Sequence, residues 1–145
     1  MFSFSKRILI KSLLLLPFYG RNLLARDNDV ALKFLKNEFP NYKIIKDKVI
    51  GLKSPLLVDS GNYVPIEIIQ FKKNDSIFFE KILLFALKNP NPLLVSFSMT
   101  KGVSTNIKTR IRLSDSQNIF LVGITNSSIF FDYKKTDLLT PGCDV

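Results

Sequence analysis

The chain has no histidine, no tryptophan and a single cysteine, Cys143. Without histidine it lacks the usual general base of Ser and Cys triads and the commonest ligand for transition metals. With only one thiol besides, zinc, haem and iron–sulfur sites have almost no ligands to draw on. One cysteine also excludes an intramolecular disulfide, so any disulfide is with another molecule. No metal and no cofactor is expected from these residues, and independent catalysis is poorly provided for. Acidic residues are scarce as well, and the formal net charge is +9. Five of the cations, Lys6, Arg7, Lys11, Arg21 and Arg26, lie in a first segment without any acid, and setting them aside leaves +4. The remaining basic residues are scattered and form no basic helix, which argues against a nucleic-acid partner.

Residues 1–26 read as an export signal. Basic Lys6, Arg7 and Lys11 precede the short apolar stretch 12–19. Ser5-Lys6-Arg7-Ile8-Leu9-Ile10-Lys11 is similar to a twin-arginine signal in which Lys6 replaces the first arginine. An apolar run of about ten residues is too short to cross a hydrocarbon core of roughly 30 Å. The expected destination is therefore the periplasm, by the twin-arginine route, with no stable membrane association after export.

The remainder of the chain has the size of one domain, and hydrophobic residues at 46% suffice for one core. Asp27 or Asn28 is placed to cap a helix over about Val30–Phe39, which Pro40-Asn41 ends. Beyond it the pattern turns to strands. Short apolar pieces at 49–52 and 55–58 precede the turn cluster Asp59-Ser60-Gly61-Asn62. A strand over Tyr63–Phe71 has Val64, Ile66 and Ile68 on one face, with Pro65 marking an edge or a strand start. Lys72-Lys73-Asn74-Asp75 is a further turn, and the Phe- and Ile-rich stretch Ser76–Leu87 is expected to be a strand. Asn89-Pro90-Asn91-Pro92 makes a rigid corner before a strand at 93–99. The clearest alternation covers Asn106–Leu113, with Ile107, Thr109, Ile111 and Leu113 inward and Lys108, Arg110 and Arg112 outward. Two more strands fit Asn118–Thr125 and Ser128–Tyr133. Six or seven strands separated by turn signals predict an all-β fold, an immunoglobulin-like antiparallel β-sandwich with an N-terminal helix. The expected division is an export signal at 1–26, a β-domain at 27–137 and a flexible C-terminal arm at 138–145.

Cys143 is the residue on which any chemistry rests. A lone cysteine is commonly a small buried hydrophobe. Three residues from a polar chain end burial is disfavoured, because such segments are exposed and loose. A covalent attachment point is the reading this position supports.

Four stretches, taken in order, resemble the SoxY family, the substrate-carrying subunits of bacterial sulfur oxidation. They are Gly61-Asn62-Tyr63-Val64-Pro65-Ile66, Phe85-Ala86-Leu87-Lys88-Asn89-Pro90-Asn91-Pro92, the run from Thr109 to Gln117, and the tail Pro141-Gly142-Cys143-Asp144-Val145. The resemblance covers about Val30 to Val145. It implies a carrier, not an enzyme: thiosulfate-derived sulfur intermediates are held on Cys143 while partner enzymes of the Sox pathway oxidise and hydrolyse them. It further implies a heterodimer with a SoxZ-like subunit. A carrier of this kind needs a soft sulfur that makes and breaks S–S bonds under mild conditions. It also gains from the lack of a second thiol, which would attack the mixed disulfide and discharge the cargo. Family arms end Gly-Gly-Cys-Gly-Gly; here Pro141, Asp144 and Val145 replace three of those glycines and only Gly142 is kept. Pro141 narrows φ, and Asp144 places negative charge beside the thiol, which raises its pKa. An adaptor subunit that keeps the fold without the cysteine chemistry is the alternative; a stand-alone thiol enzyme would need a base or basic cradle that the acidic tail does not supply.

Overall fold

A computed structural model describes residues 22–45, 47–71 and 77–142. The expected export signal with Lys6 and Arg7, the turn at 72–75, and Cys143, Asp144 and Val145 lie wholly or largely outside these residues. The chain forms two compact units, Met1–Pro40 and Asn41–Val145.

The first unit contains one helix, α1 (Asn22–Glu38). It starts well before the expected Val30, and Asp27 and Asn28 lie inside it instead of capping it. Leu23, Leu24, Ala25 and Arg26 are strong helix formers and carry the helix back through the end of the expected signal. Lys36 in its last turn suits the negative end of the helix dipole. The Phe39 amide still bonds the Leu35 carbonyl at 2.9 Å, and Pro40, with no amide of its own, stops the ladder there.

The second unit is all β. Its strands are β1 (Lys43–Ile45), β2 (Ile50–Lys53), β3 (Leu57–Ser60), β4 (Val64–Gln70), β5 (Lys81–Phe85), β6 (Leu93–Ser98), β7 (Ile107–Ile111), β8 (Gln117–Ile124) and β9 (Ser128–Thr140). The larger sheet runs β1-β9-β8-β5-β6 with β3 also on β9; the smaller is β2-β4-β7. The β4 alternation is as expected: Val64, Ile66 and Ile68 are buried and Pro65 is exposed. Pro65 lacks a donor and sits where β4 has β7 alone as neighbour, since β2 pairs only with Glu67–Gln70. Ile111 and Leu113 are buried, while Lys108, Arg110 and Arg112 face out. One hydrophobic cluster draws on both sheets, with Ile50, Leu52, Ile66 and Ile68 from the smaller meeting Ile82, Leu84, Ile119 and Leu121 from the larger. Each such side chain contributes about 1.5–3 kcal/mol by leaving water.

Three expectations are corrected. First, the sheet is not purely antiparallel, because β1 and β3 both run parallel to β9. Chain segments 43–45 and 57–60 occupy successive stretches of one β9 edge, and β2 leaves that edge between them to join the smaller sheet. Where β2 passes β9, the Asp132 carboxylate accepts from the Leu52 amide at 2.8 Å, replacing a backbone partner. Second, the stretch Ser76–Leu87 is a strand only over Lys81–Phe85. Phe79 instead turns into the core, edge-on to Phe130 with ring centroids 5.7 Å apart. It lies over Gly123, where a Cβ would come within 2.7 Å of its ring. Third, β9 continues to Thr140, seven residues beyond the expected Tyr133. Its polar second half is kept in register by β3 and by the buried Thr136 hydroxyl, which donates to the Pro55 carbonyl at 3.0 Å.

Ile68→Ala should lower stability by about 2–5 kcal/mol, since it empties a fully buried site. Glu67→Ala, next to it on the outer face, should cost no more than about 1 kcal/mol, because its ion pairs with Lys53 and Lys108 (3.6 and 3.7 Å) are at the surface. Urea unfolding of the two variants distinguishes a core that joins both sheets from a fold resting on its surface pairs.

Candidate functional site

The four motifs come together at one end of the β unit. Gly61 follows β3, Asn89 lies in the corner after β5, residues 112–116 join β7 to β8, which opens on Gln117, and Pro141-Gly142 follows β9. The corner and the 112–116 loop with Gln117 are tied by side chains that satisfy each other's backbone. Asn89 Oδ1 accepts from the Ser114 amide (3.0 Å), the Ser114 hydroxyl (3.1 Å) and Gln117 Nε2 (2.9 Å), while its Nδ2 donates to the Arg112 carbonyl at 2.9 Å. The buried Gln117 returns its Oε1 to the Lys88 amide at 2.8 Å. Asn89 therefore works as a connector: two prolines hold the corner open, and its amide group reads both a carbonyl and an amide of the opposite loop.

The loop in turn holds the end of β9. Ser116 Oγ accepts from the Leu138 amide at 2.8 Å, and the Thr140 hydroxyl donates to the Asp59 carbonyl at 2.6 Å. The backbone then makes three closing bonds: Gly61 amide to Thr140 carbonyl (3.1 Å), Leu113 amide to Gly61 carbonyl (2.8 Å) and Gly142 amide to Leu113 carbonyl (3.0 Å). Residues expected to begin a loose arm at 138 are thus strand residues, and the chain is held to the body as far as Gly142. Pro141 is exposed and Gly142 half-buried. Cys143, the next residue, is outside the described residues with Asp144 and Val145, as are Lys6 and Arg7.

Electrostatics at this end are mixed. The Asp115 carboxyl is held below its ordinary 3.8, first by the Ser116 amide donating at 2.6 Å and then by the hydrogen bond and charge of Lys88 at 3.3 Å. Arg110 and Arg112 make no ion pair among the described residues, and they line an open groove of about 450 Å³ with Asn89, Pro90 and the exposed Leu93. No cluster of three metal-ligating side chains occurs among the described residues. None of their helices is long and apolar enough to cross a membrane. The sequence reading missed Ser116, Asn89 and Leu113 as holders of the tail. The signal for the first two was the density of Asn, Ser and Asp in both loops, residues whose short polar side chains bond nearby backbone.

Comparison with known proteins decides the family. The family described as "Sulfur oxidation protein SoxY" matches residues 35–143. The chain belongs to the SoxY family. It is a sulfur-carrier protein of sulfur and thiosulfate oxidation, a carrier and not an enzyme. The same fold occurs in the sulfur carrier protein SoxY from Chlorobium limicola f thiosulfatophilum, with a TM-score of 0.60 at 18% identity over 79% of this chain and 97% of that one. No curated protein matches the chain.

Asn89→Ala removes four hydrogen bonds and leaves the buried Gln117 short of a partner, so it should cost about 1–3 kcal/mol in urea unfolding. Asn91→Ala, exposed in the same corner, should stay within about 0.5 kcal/mol. A carboxylate whose pKa is lowered on folding stabilises the folded state above its ordinary value and loses that contribution as pH falls through the lowered one. The Asp115 contacts should therefore be intact at neutral pH and weaken only below about pH 4. The protection of the Ser116 amide, its exchange relative to an unstructured amide at the same pH, should fall in that acid range in the native chain and show no such pH step in Asp115→Asn.

Proposed function

We propose that Cys143 is the covalent attachment point for sulfur, carried on the short tail that follows Gly142. The observation that carries this reading is the extent of the family match: it runs to residue 143 and so ends on the only cysteine. The scaffold suits the task, because the root of the tail is fixed at the rim of a rigid β unit and the attachment residue follows it directly. In this reading the two sheets form an immunoglobulin-like sandwich, and a SoxZ-like subunit completes a heterodimer. Export by the twin-arginine-like segment with Lys6 and Arg7 places the carrier in the periplasm. Arg110 and Arg112, which make no ion pair among the described residues and line the groove at the Asn89 corner, offer an acidic partner enzyme a place to dock.

The chemistry balances in two steps. The Cys143 thiolate and the outer sulfur of thiosulfate join in an S–S bond, and the two electrons released go to an oxidising partner enzyme. Water then cleaves the terminal S–S bond, releasing sulfate and two protons and leaving a persulfide on Cys143. The chain contributes the sulfur atom and its presentation; base, oxidant and hydrolytic machinery come from the partners. Asp144 disfavours the thiolate in the free carrier, so loading depends on the partner's active site to draw the proton away.

Incubation with thiosulfate and the oxidising partner, followed by intact-protein mass spectrometry, tests this. A thiosulfate adduct on the native chain and none on Cys143→Ser is the expected outcome. Full sulfur oxidation supported by Cys143→Ser would leave the protein an adaptor and sink the proposal.

A further inference from the structure

We propose that Gly61, Leu113 and Gly142 form a backbone clasp that positions Cys143, so that the reach of the thiol is set by whether the clasp is shut. It rests on Cys143 being the attachment residue and concerns how that residue is presented.

Leu113 is the centre of the clasp. Its side chain is fully buried in the core shared by the two sheets. Its amide donates to the Gly61 carbonyl at 2.8 Å and its carbonyl accepts from the Gly142 amide at 3.0 Å. Both polar groups of one core residue are thus spent on two glycines from distant parts of the chain. Neither glycine is there for its conformational range, since among the described residues only Gly102 has a positive φ. What each supplies is the absence of a side chain. A Cβ on Gly61 would lie 2.0 Å from the Leu113 carbonyl oxygen and 2.6 Å from the Gly142 nitrogen. A Cβ on Gly142 would lie 2.3 Å from the same oxygen and 3.1 Å from the Gly61 carbonyl carbon. These are backbone atoms of a core-anchored segment and cannot swing aside, so any side chain at either position forces the three segments apart.

The consequence is geometric. With the clasp shut, Cys143 is one residue, about 3.8 Å between Cα atoms, from a fixed point. With it open, the last register pair of β3 and β9, Ser60 with Thr140, is the next restraint, and the chain is released from Pro141 onward. Three extended residues from Pro141 then span about 10 Å. Held strand and free arm are two states of one segment, separated by hydrogen bonds at an exposed sheet end. Gly142 is here a packing residue of the shut state, and the body-side partner that sequence motifs leave unexplained is Gly61.

Cys143 is the only cysteine, so a neutral thiol-specific nitroxide reports on the tail of the full-length chain without further engineering. In the native protein the label's spectrum should contain a dominant slow component. Gly61→Ala and Gly142→Ala should each reduce that component at least threefold, and the double variant should reduce it no further, because both substitutions break one clasp. Ile66→Val, which weakens the core elsewhere, serves as control and should leave the spectrum unchanged. Equal spectra for the native chain and the double variant, or a control that shifts as much, would overturn the proposal. Should the glycine variants fail to fold, amide exchange in the native chain decides it. Gly142 should be protected at least tenfold over an unstructured amide, and exchange at the unstructured rate would refute the clasp. Labelling needs only a thiol, so a failure to load thiosulfate leaves this result intact and the two proposals fail separately.

Discussion

The second half of β9 depends on hydrogen bonds it receives from a part of the chain some eighty residues earlier. The antiparallel partner β8 accompanies β9 from Ile129 to Thr136 and then ends, and from Asp137 onward only β3 pairs with it. A strand stripped of that partner would expose a row of amides and carbonyls. The parallel placement of β3, helped by the Ser54 hydroxyl and Pro55 carbonyl at Thr136, prevents this. Much of the arrangement derives from that one edge. Because β1 and β3 share it, β2 must leave between them, and its departure supplies the third strand of the smaller sheet. Because β9 is extended to Thr140, its end arrives at the loop joining β7 to β8.

In the proposed reading a carrier residue must be both mobile and correctly addressed, and the two demands conflict. What the described residues contribute is a firmly tied region that ends at Gly142. Asn89, Gln117 and Ser114 fasten one loop to another; Ser116 and Leu113 then fasten β9 and Gly142 to that loop. Each of these bonds has a net worth of about 0.5–1.5 kcal/mol. The three that hold the chain beyond Leu138, apart from the β3 ladder, therefore total a few kcal/mol, a quantity that contact with a partner protein can supply or remove. The rigid network is at Asn89, where a buried glutamine would be left unsatisfied; in the clasp proposal the yielding one is at buried Gly61 and half-buried Gly142.

How much was readable from the residues varies with the physical cause. Val64, Ile66 and Ile68, and Ile107 to Leu113, alternate because one face of each strand meets the core, and period two is visible in sequence. The Asn-Pro-Asn-Pro corner was visible because proline restricts the backbone wherever it stands. The stretch Ser76–Leu87 misled because Phe79 is apolar for a tertiary reason, filling the space over Gly123, and not because it continues a strand. The polar run Lys134-Lys135-Thr136-Asp137 hid the extension of β9, since its pairing strand is far away in sequence. Parallel pairing of β1 and β3 left no local sign at all.

The residues alone bounded the chemistry available to this protein. One thiol and no histidine made Cys143 the expected attachment point, and four ordered motifs pointed to the sulfur-carrier family. Tertiary structure decided how the chain ahead of it is held, as far as Gly142. Motif order said that Gly61, Asn89, Arg112 to Gln117 and Gly142 belong together; only folding brought them to one rim, because hydrogen bonds between distant backbones depend on strand register, which no single stretch encodes. It also gave Gly142, expected only as part of a flexible arm, a fixed place, since it is small enough to let its amide reach the Leu113 carbonyl.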